Sequence, residues 1–108
     1  MSNNNDAAIG RRYPRIPVAA TFKLYTNITR AKYTAQVTNM SRKGAFIQSK
    51  HLPEIGDVIS YCVIGENGEE YFAGNATVVW LKCEGTPGYG IEVDQEFHED
   101  FIDAMKIK

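Results

Sequence analysis

Acidic side chains are nearly missing from the first half of this chain: among residues 1–50, Asp6 stands alone against nine lysines and arginines. Residues 51–108 reverse the balance with twelve acidic and three basic side chains, so a formal net charge of -1 conceals two opposed halves. That division excludes a uniformly basic surface and points to a local anion-binding surface in the first half. The alternative is that the halves interleave and their charges pair across strands. Long apolar runs are also missing. None approaches the ~20 residues of a membrane-spanning helix, and the polar opening Met1-Ser2-Asn3-Asn4-Asn5-Asp6 has no secretory leader pattern. A cytoplasmic protein without a membrane partner is expected. Cys62 and Cys83 have no CxxC spacing and no adjacent histidine, which predicts buried reduced thiols rather than a disulfide or metal site. His51 and His98 lie far apart with no supporting Cys, Ser or carboxylate arrangement, and no phosphate-binding glycine loop appears. The chain therefore reads as a non-enzyme that needs no cofactor.

What is present suits one small folded domain: 108 residues, 44% of them hydrophobic. Residues 1–9 are small and polar and read as a disordered lead-in, with the domain running from 10 to 108. From Ala20 the pattern alternates, Ala20, Phe22 and Leu24 on one face and Thr21, Lys23 and Tyr25 on the other, which predicts a half-buried strand. Tyr33, Ala35 and Val37 repeat it after a turn at Thr26-Asn27-Ile28-Thr29, giving an antiparallel pair. A short strand over Ala45 to Gln48 follows, then a Pro- and Gly-marked loop. Asp57 to Ile64 is apolar on both faces and reads as a strand covered on both sides. Asn67-Gly68 marks a hairpin into a long strand, Tyr71 to Lys82, with Gly74 as a bulge or bend. Tyr89, Ile91 and Val93 alternate in a last strand. Phe97, Phe101 and Met105 then fall on one stripe of a helix of about three turns, which reads as a lid on the barrel. The sum is an all-β fold, a six-stranded antiparallel β-barrel with one C-terminal α-helix.

Two clusters carry chemistry. Arg11-Arg12-Tyr13-Pro14-Arg15 supplies planar guanidinium forks matched to phosphate oxygens and to the O6/N7 edge of guanine. Asn39-Met40-Ser41-Arg42-Lys43-Gly44 places Asn39 and Ser41 two apart, so an extended chain sends both side chains from one face, able to bond a base edge. Gly44 lets the backbone turn or approach closely where a Cβ would obstruct.

Together these clusters resemble the signature of the PilZ domain, RxxxR followed by (D/N)xSxxG. Val79-Trp80 and Gly88-Tyr89-Gly90-Ile91-Glu92-Val93 are similar to later landmarks of the same family. The resemblance implies the small β-barrel independently, and it implies a bacterial receptor for the second messenger cyclic di-GMP that signals to a protein partner. Carried over by position, it implies that Arg11, Arg15, Asn39 and Ser41 contact the ligand, that Gly44 shapes the turn, and that Arg12 adds charge or stacks on a base. The competing readings are a PilZ-type adaptor that binds no nucleotide, and a small barrel binding single-stranded nucleic acid through basic strands bearing Tyr25, Tyr33 and Phe46. The acidic second half disfavours nucleic acid.

Overall fold

A computed structural model of the chain describes residues 14–26, 32–65 and 67–107. The lead-in over 1–9 and most of the turn after Thr26 lie outside the described residues. The elements are β1 (Ile16–Thr26), β2 (Lys32–Met40), β3 (Gly44–Gln48), β4 (Val58–Ile64), β5 (Glu70–Lys82), β6 (Gly88–Val93) and a helix, α1 (Glu99–Met105). The strands close into a barrel in the order β1-β2-β3-β6-β5-β4, every neighbouring pair antiparallel. Closure leaves no free sheet edge. The alternating residues fill its interior: Phe22, Leu24, Val37, Ile47, Val63, Val78 and Tyr89 are fully buried. At Asn67-Gly68 the expected hairpin forms, with Gly68 at φ 82° and its N–H donating to the Gly65 carbonyl at 3.0 Å.

Several expectations are corrected. β1 begins at Ile16 rather than Ala20, and Pro17 fits there because the pairing with β2 is irregular between Pro17 and Ala20. β4 is not covered on both sides: Val58 and Ser60 are exposed while Ile59, Tyr61 and Val63 point inward, since a barrel has a single interior. Gly74 is not a bulge. It pairs in regular register with Tyr61, and a Cβ there would crowd the Tyr61 ring at 3.0–3.2 Å. Both cysteines are free, but Cys62 is only half-buried and Cys83 is exposed in the loop after β5.

The helix is shorter than its apolar stripe. α1 starts at Glu99, capped by the His98 imidazole, which accepts from the Asp100 N–H at 3.1 Å. Phe97 therefore precedes the helix and plugs the barrel end, with ring centroids 6.3 Å from Phe22, 5.9 Å from Tyr61 and 5.6 Å from Phe101. Ile102 is buried behind it. The chain then returns to β1, where the Ile107 N–H donates to the Pro17 carbonyl. Among the described residues, no helix is long and apolar enough to cross a membrane.

Burial of tyrosine gives the barrel an alkaline limit. Desolvation pushes the Tyr61 phenol up to about 12, with Asp94 adding to the effect. Tyr89 is raised as well, by burial and by the hydrogen bond its hydroxyl shares with Tyr33 at 2.6 Å. A free phenol titrates near ~10, so below that pH folded and unfolded chains hold these protons equally and stability does not depend on them. Between about pH 10 and the folded value of about 12, the unfolded chain loses a proton that folded Tyr61 keeps. Stability then falls with rising pH, by up to about 1.4 kcal/mol per unit for each such phenol. Urea midpoints at pH 9 and pH 11 should show this loss, and Tyr61→Phe should lose less. An identical loss in the variant would contradict the assignment.

Candidate functional site

Irregular strand pairing builds the site. In β2 the pairing with β3 slips between Val37 and Asn39, and in β5 the pairing with β6 slips between Val78 and Trp80. Each slip inserts one residue, Thr38 and Val79 respectively, so the side chain that would follow Val37 or Val78 into the core is turned outward instead. Asn39 and Trp80 thereby reach the outer face in one row: Asn39 pairs with Phe46, Phe46 with Gly90, and Gly90 with Trp80. Gly90 contributes no side chain to this row, and a Cβ on it would run into the Trp80 indole. Phe46 and Trp80 close over the gap as a stacked pair, centroids 5.3 Å apart and planes 22° from parallel.

Beside this aromatic surface lies an open cavity of 170 Å³ bordered by Arg15, Asn39, Ser41, Lys43, Trp80 and Glu92. The Arg15 guanidinium sits 5.5 Å from the Trp80 ring centroid, a cation–π contact. Ser41 follows the end of β2, where its N–H donates to the Gly44 carbonyl at 2.9 Å and its Oγ accepts from the Lys43 N–H at 3.3 Å. That tight turn, rather than an extended strand, holds Ser41 on the same cavity as Asn39. Gly44 also borders it, and its role is close approach rather than turning. It pairs with Glu92, and a Cβ on it would run into the Ile91 carbonyl oxygen.

The two halves of the sequence do interleave. Lys23 pairs with Glu70 at 2.7 Å and Arg42 with Glu96 at 2.9 Å. The cavity nevertheless keeps Arg15 and Lys43 on its wall, the latter with its Nζ 3.4 Å from the Val93 carbonyl. Arg11 and Arg12 lie outside the described residues. Lys43, Trp80 and Glu92 border the cavity and Phe46 packs on Trp80, although the sequence assigned none of them to the ligand: Trp80 entered as a family landmark and Phe46 only in the nucleic-acid reading. The signal available for Trp80 was its standing as the sole tryptophan, set at a strand end beside a run of small and β-branched residues. Across Trp80 and Asn39 a second open cavity, of 300 Å³, is bordered by Thr38, Gln48, Lys82 and Thr86. Among the described residues no cluster of His, Cys, Asp and Glu could hold a metal ion. The arrangement suits a planar, anionic ligand: cations for phosphate, an aromatic surface for a π face, and short polar side chains for a base edge.

Comparison with known proteins bears on the family and the fold. The chain matches the PilZ domain family over residues 10–104. Among solved structures it is similar to the Bacillus subtilis inhibitor of motility, MotI/DgrA, with 12% identity and a TM-score of 0.62 across 88% of this chain and 47% of that one. It is similar also to the Borreliella burgdorferi PlzA protein in complex with c-di-GMP, at 14% identity and a TM-score of 0.59, covering 95% of this chain and 43% of that one. The PilZ domain of Escherichia coli YcgR with c-di-GMP gives 13% identity and a TM-score of 0.55 over 88% of this chain and 85% of the other. The chain thus spans less than half the length of MotI/DgrA and PlzA. No curated protein matches the sequence. At these identities the solved structures establish a common fold.

Proposed function

This chain belongs to the PilZ domain family, and from that premise we propose that it is a receptor for cyclic di-GMP. The observation that carries the reading is the convergence of Arg15 with the pair Asn39 and Ser41, more than twenty residues further along the chain, on one cavity beside Trp80. Cyclic di-GMP offers two phosphates and two guanines. The Arg15 fork suits a phosphate or the O6/N7 edge, Asn39 and Ser41 suit the remaining base edge, and Trp80 offers a stacking face. By motif position Arg11 and Arg12 join them, and their contact with ligand changes the surface at the start of β1. The resulting change of surface is what a protein partner would read. The site lies at the start of β1, beside the point where the returning C-terminus bonds Pro17, so the rearranged surface would include the helical end of the barrel.

Trp80 is the only tryptophan, which makes the test direct. Titration with cyclic di-GMP should give a saturable change in tryptophan fluorescence, and saturation should protect the bonds after Arg11 and Arg12 from trypsin. Unchanged fluorescence and unchanged cleavage at saturating ligand would contradict the proposal.

A further inference from the structure

A carboxylate borders the proposed nucleotide site, and neither sequence cluster accounts for it. Glu92 lies on β6 opposite Gly44, between Ile91 and Val93, which point into the core. Strand alternation sends its own side chain to the outer face, where it is exposed and shares the cavity with Arg15, Asn39, Ser41 and Lys43. Among the described residues it is held in no ion pair. The neighbouring Lys43 ammonium reaches the Val93 carbonyl instead. Because Gly44 has no side chain, nothing on β3 stands over Glu92 at their pairing position.

A bystander carboxylate in this place would repel the phosphates of any cyclic dinucleotide. Guanine supplies a reason for it. Its O6 and N7 are acceptors that the Arg15 fork can meet, but its N1–H and N2–H₂ form an adjacent pair of donors that needs two acceptors side by side. The two clusters supply few of these. Asn39 has a single amide oxygen, and the Ser41 Oγ, which accepts from the Lys43 N–H, has one lone pair left, so neither presents two acceptors side by side. A carboxylate presents both oxygens at the required spacing. We propose that Glu92 accepts from N1–H and N2–H₂ of one guanine, completing the readout that Arg15, Asn39 and Ser41 begin, and so selects guanine over adenine. Adenine sets an N1 lone pair where guanine has N1–H, and no N2 amine, so the same carboxylate repels it. This inference rests on the receptor reading.

Wild type, Glu92→Gln and Glu92→Ala are titrated calorimetrically with cyclic di-GMP and with cyclic di-AMP. The position faces solvent, so both variants should keep the wild-type melting temperature. Glu92→Gln is expected to lower cyclic di-GMP affinity by about 5- to 150-fold, the loss of one bidentate base contact. It should also narrow the margin over cyclic di-AMP, because the amide N–H can donate to the adenine N1 that the carboxylate repels. Glu92→Ala should lose cyclic di-GMP affinity without that gain. A carboxylate that only repels phosphate gives the opposite sign: both variants bind both ligands more tightly, and the proposal falls. Unchanged cyclic di-GMP affinity in the variants overturns it equally. Wild type that fails to bind cyclic di-GMP is a different result, since it removes the receptor reading itself and this inference with it.

Discussion

Arg15→Ala weakens cyclic di-GMP binding by about 5- to 150-fold, the equivalent of one lost bidentate contact of about 1–3 kcal/mol. Arg15 is exposed and stands just before β1, and among the described residues its one contact of note is the 5.5 Å approach to the Trp80 ring. An exposed cation–π contact is worth only about 0.5–1 kcal/mol. The variant should therefore melt close to wild type while losing ligand, which separates recognition from folding. Arg15→Lys keeps the charge but lacks the planar fork, so it should recover phosphate attraction and little of the base contact. A lysine variant that binds like wild type would mean that Arg15 acts as a point charge. An alanine variant that binds like wild type would mean that the cavity beside Trp80 is not the nucleotide site.

Gly44→Ala is the largest expected loss of stability. β3 and β6 pair at Gly44 and Glu92 so closely that a Cβ on residue 44 would occupy the space of the Ile91 carbonyl oxygen. Backbone is in the way, not the free end of a side chain, so the strands must part to admit the methyl group. Overpacking of this kind costs about 1–3 kcal/mol, and each kcal/mol lowers the melting temperature of a domain this size by roughly 4–8 °C. Thermal unfolding followed by circular dichroism checks it. The strain falls beside Ser41 and Glu92, so ligand affinity should decline with stability. A Gly44→Ala protein that melts and binds as wild type would contradict the close approach.

Alternation carried most of the barrel into view, because a residue such as Phe22, Leu24 or Ile91 must choose between interior and solvent and the chain declares the choice every second position. It failed where the strands slip. Thr38 and Val79 are ordinary strand residues, so nothing in their chemistry announces an inserted position, yet they turn Asn39 and Trp80 outward. Gly74, by contrast, has the usual mark of a bulge and sits in regular register, its missing side chain leaving room for the Tyr61 ring. Phe97 shares the period of the helix but serves the barrel interior, and His98 starts the helix after it.

The site was legible in part. Asn39 and Ser41 could be placed on one face from their spacing alone, and Arg15 from its cluster. Their meeting depends on the predicted β1–β2 pair running on past an irregularity to Pro17 and Asn39, a register that no local pattern states. Glu92 reads from sequence as an outward strand residue and no more. Only the pairing of β3 with β6, which are not consecutive strands, sets it beside the Ser41–Gly44 turn. The charge division left open a local basic surface or interleaved, paired halves, and the fold commits Lys23 and Arg42 to ion pairs with the second half while Arg15 and Lys43 line the cavity beside Glu92.

The receptor assignment is tested most directly by calorimetric titration of the wild-type protein with cyclic di-GMP, run beside GTP, cyclic di-AMP and a short single-stranded oligonucleotide. Saturable binding of cyclic di-GMP alone is the predicted result. Absence of heat with cyclic di-GMP, or binding of the oligonucleotide with steep salt dependence, would contradict it and leave the barrel as an adaptor or a nucleic-acid binder.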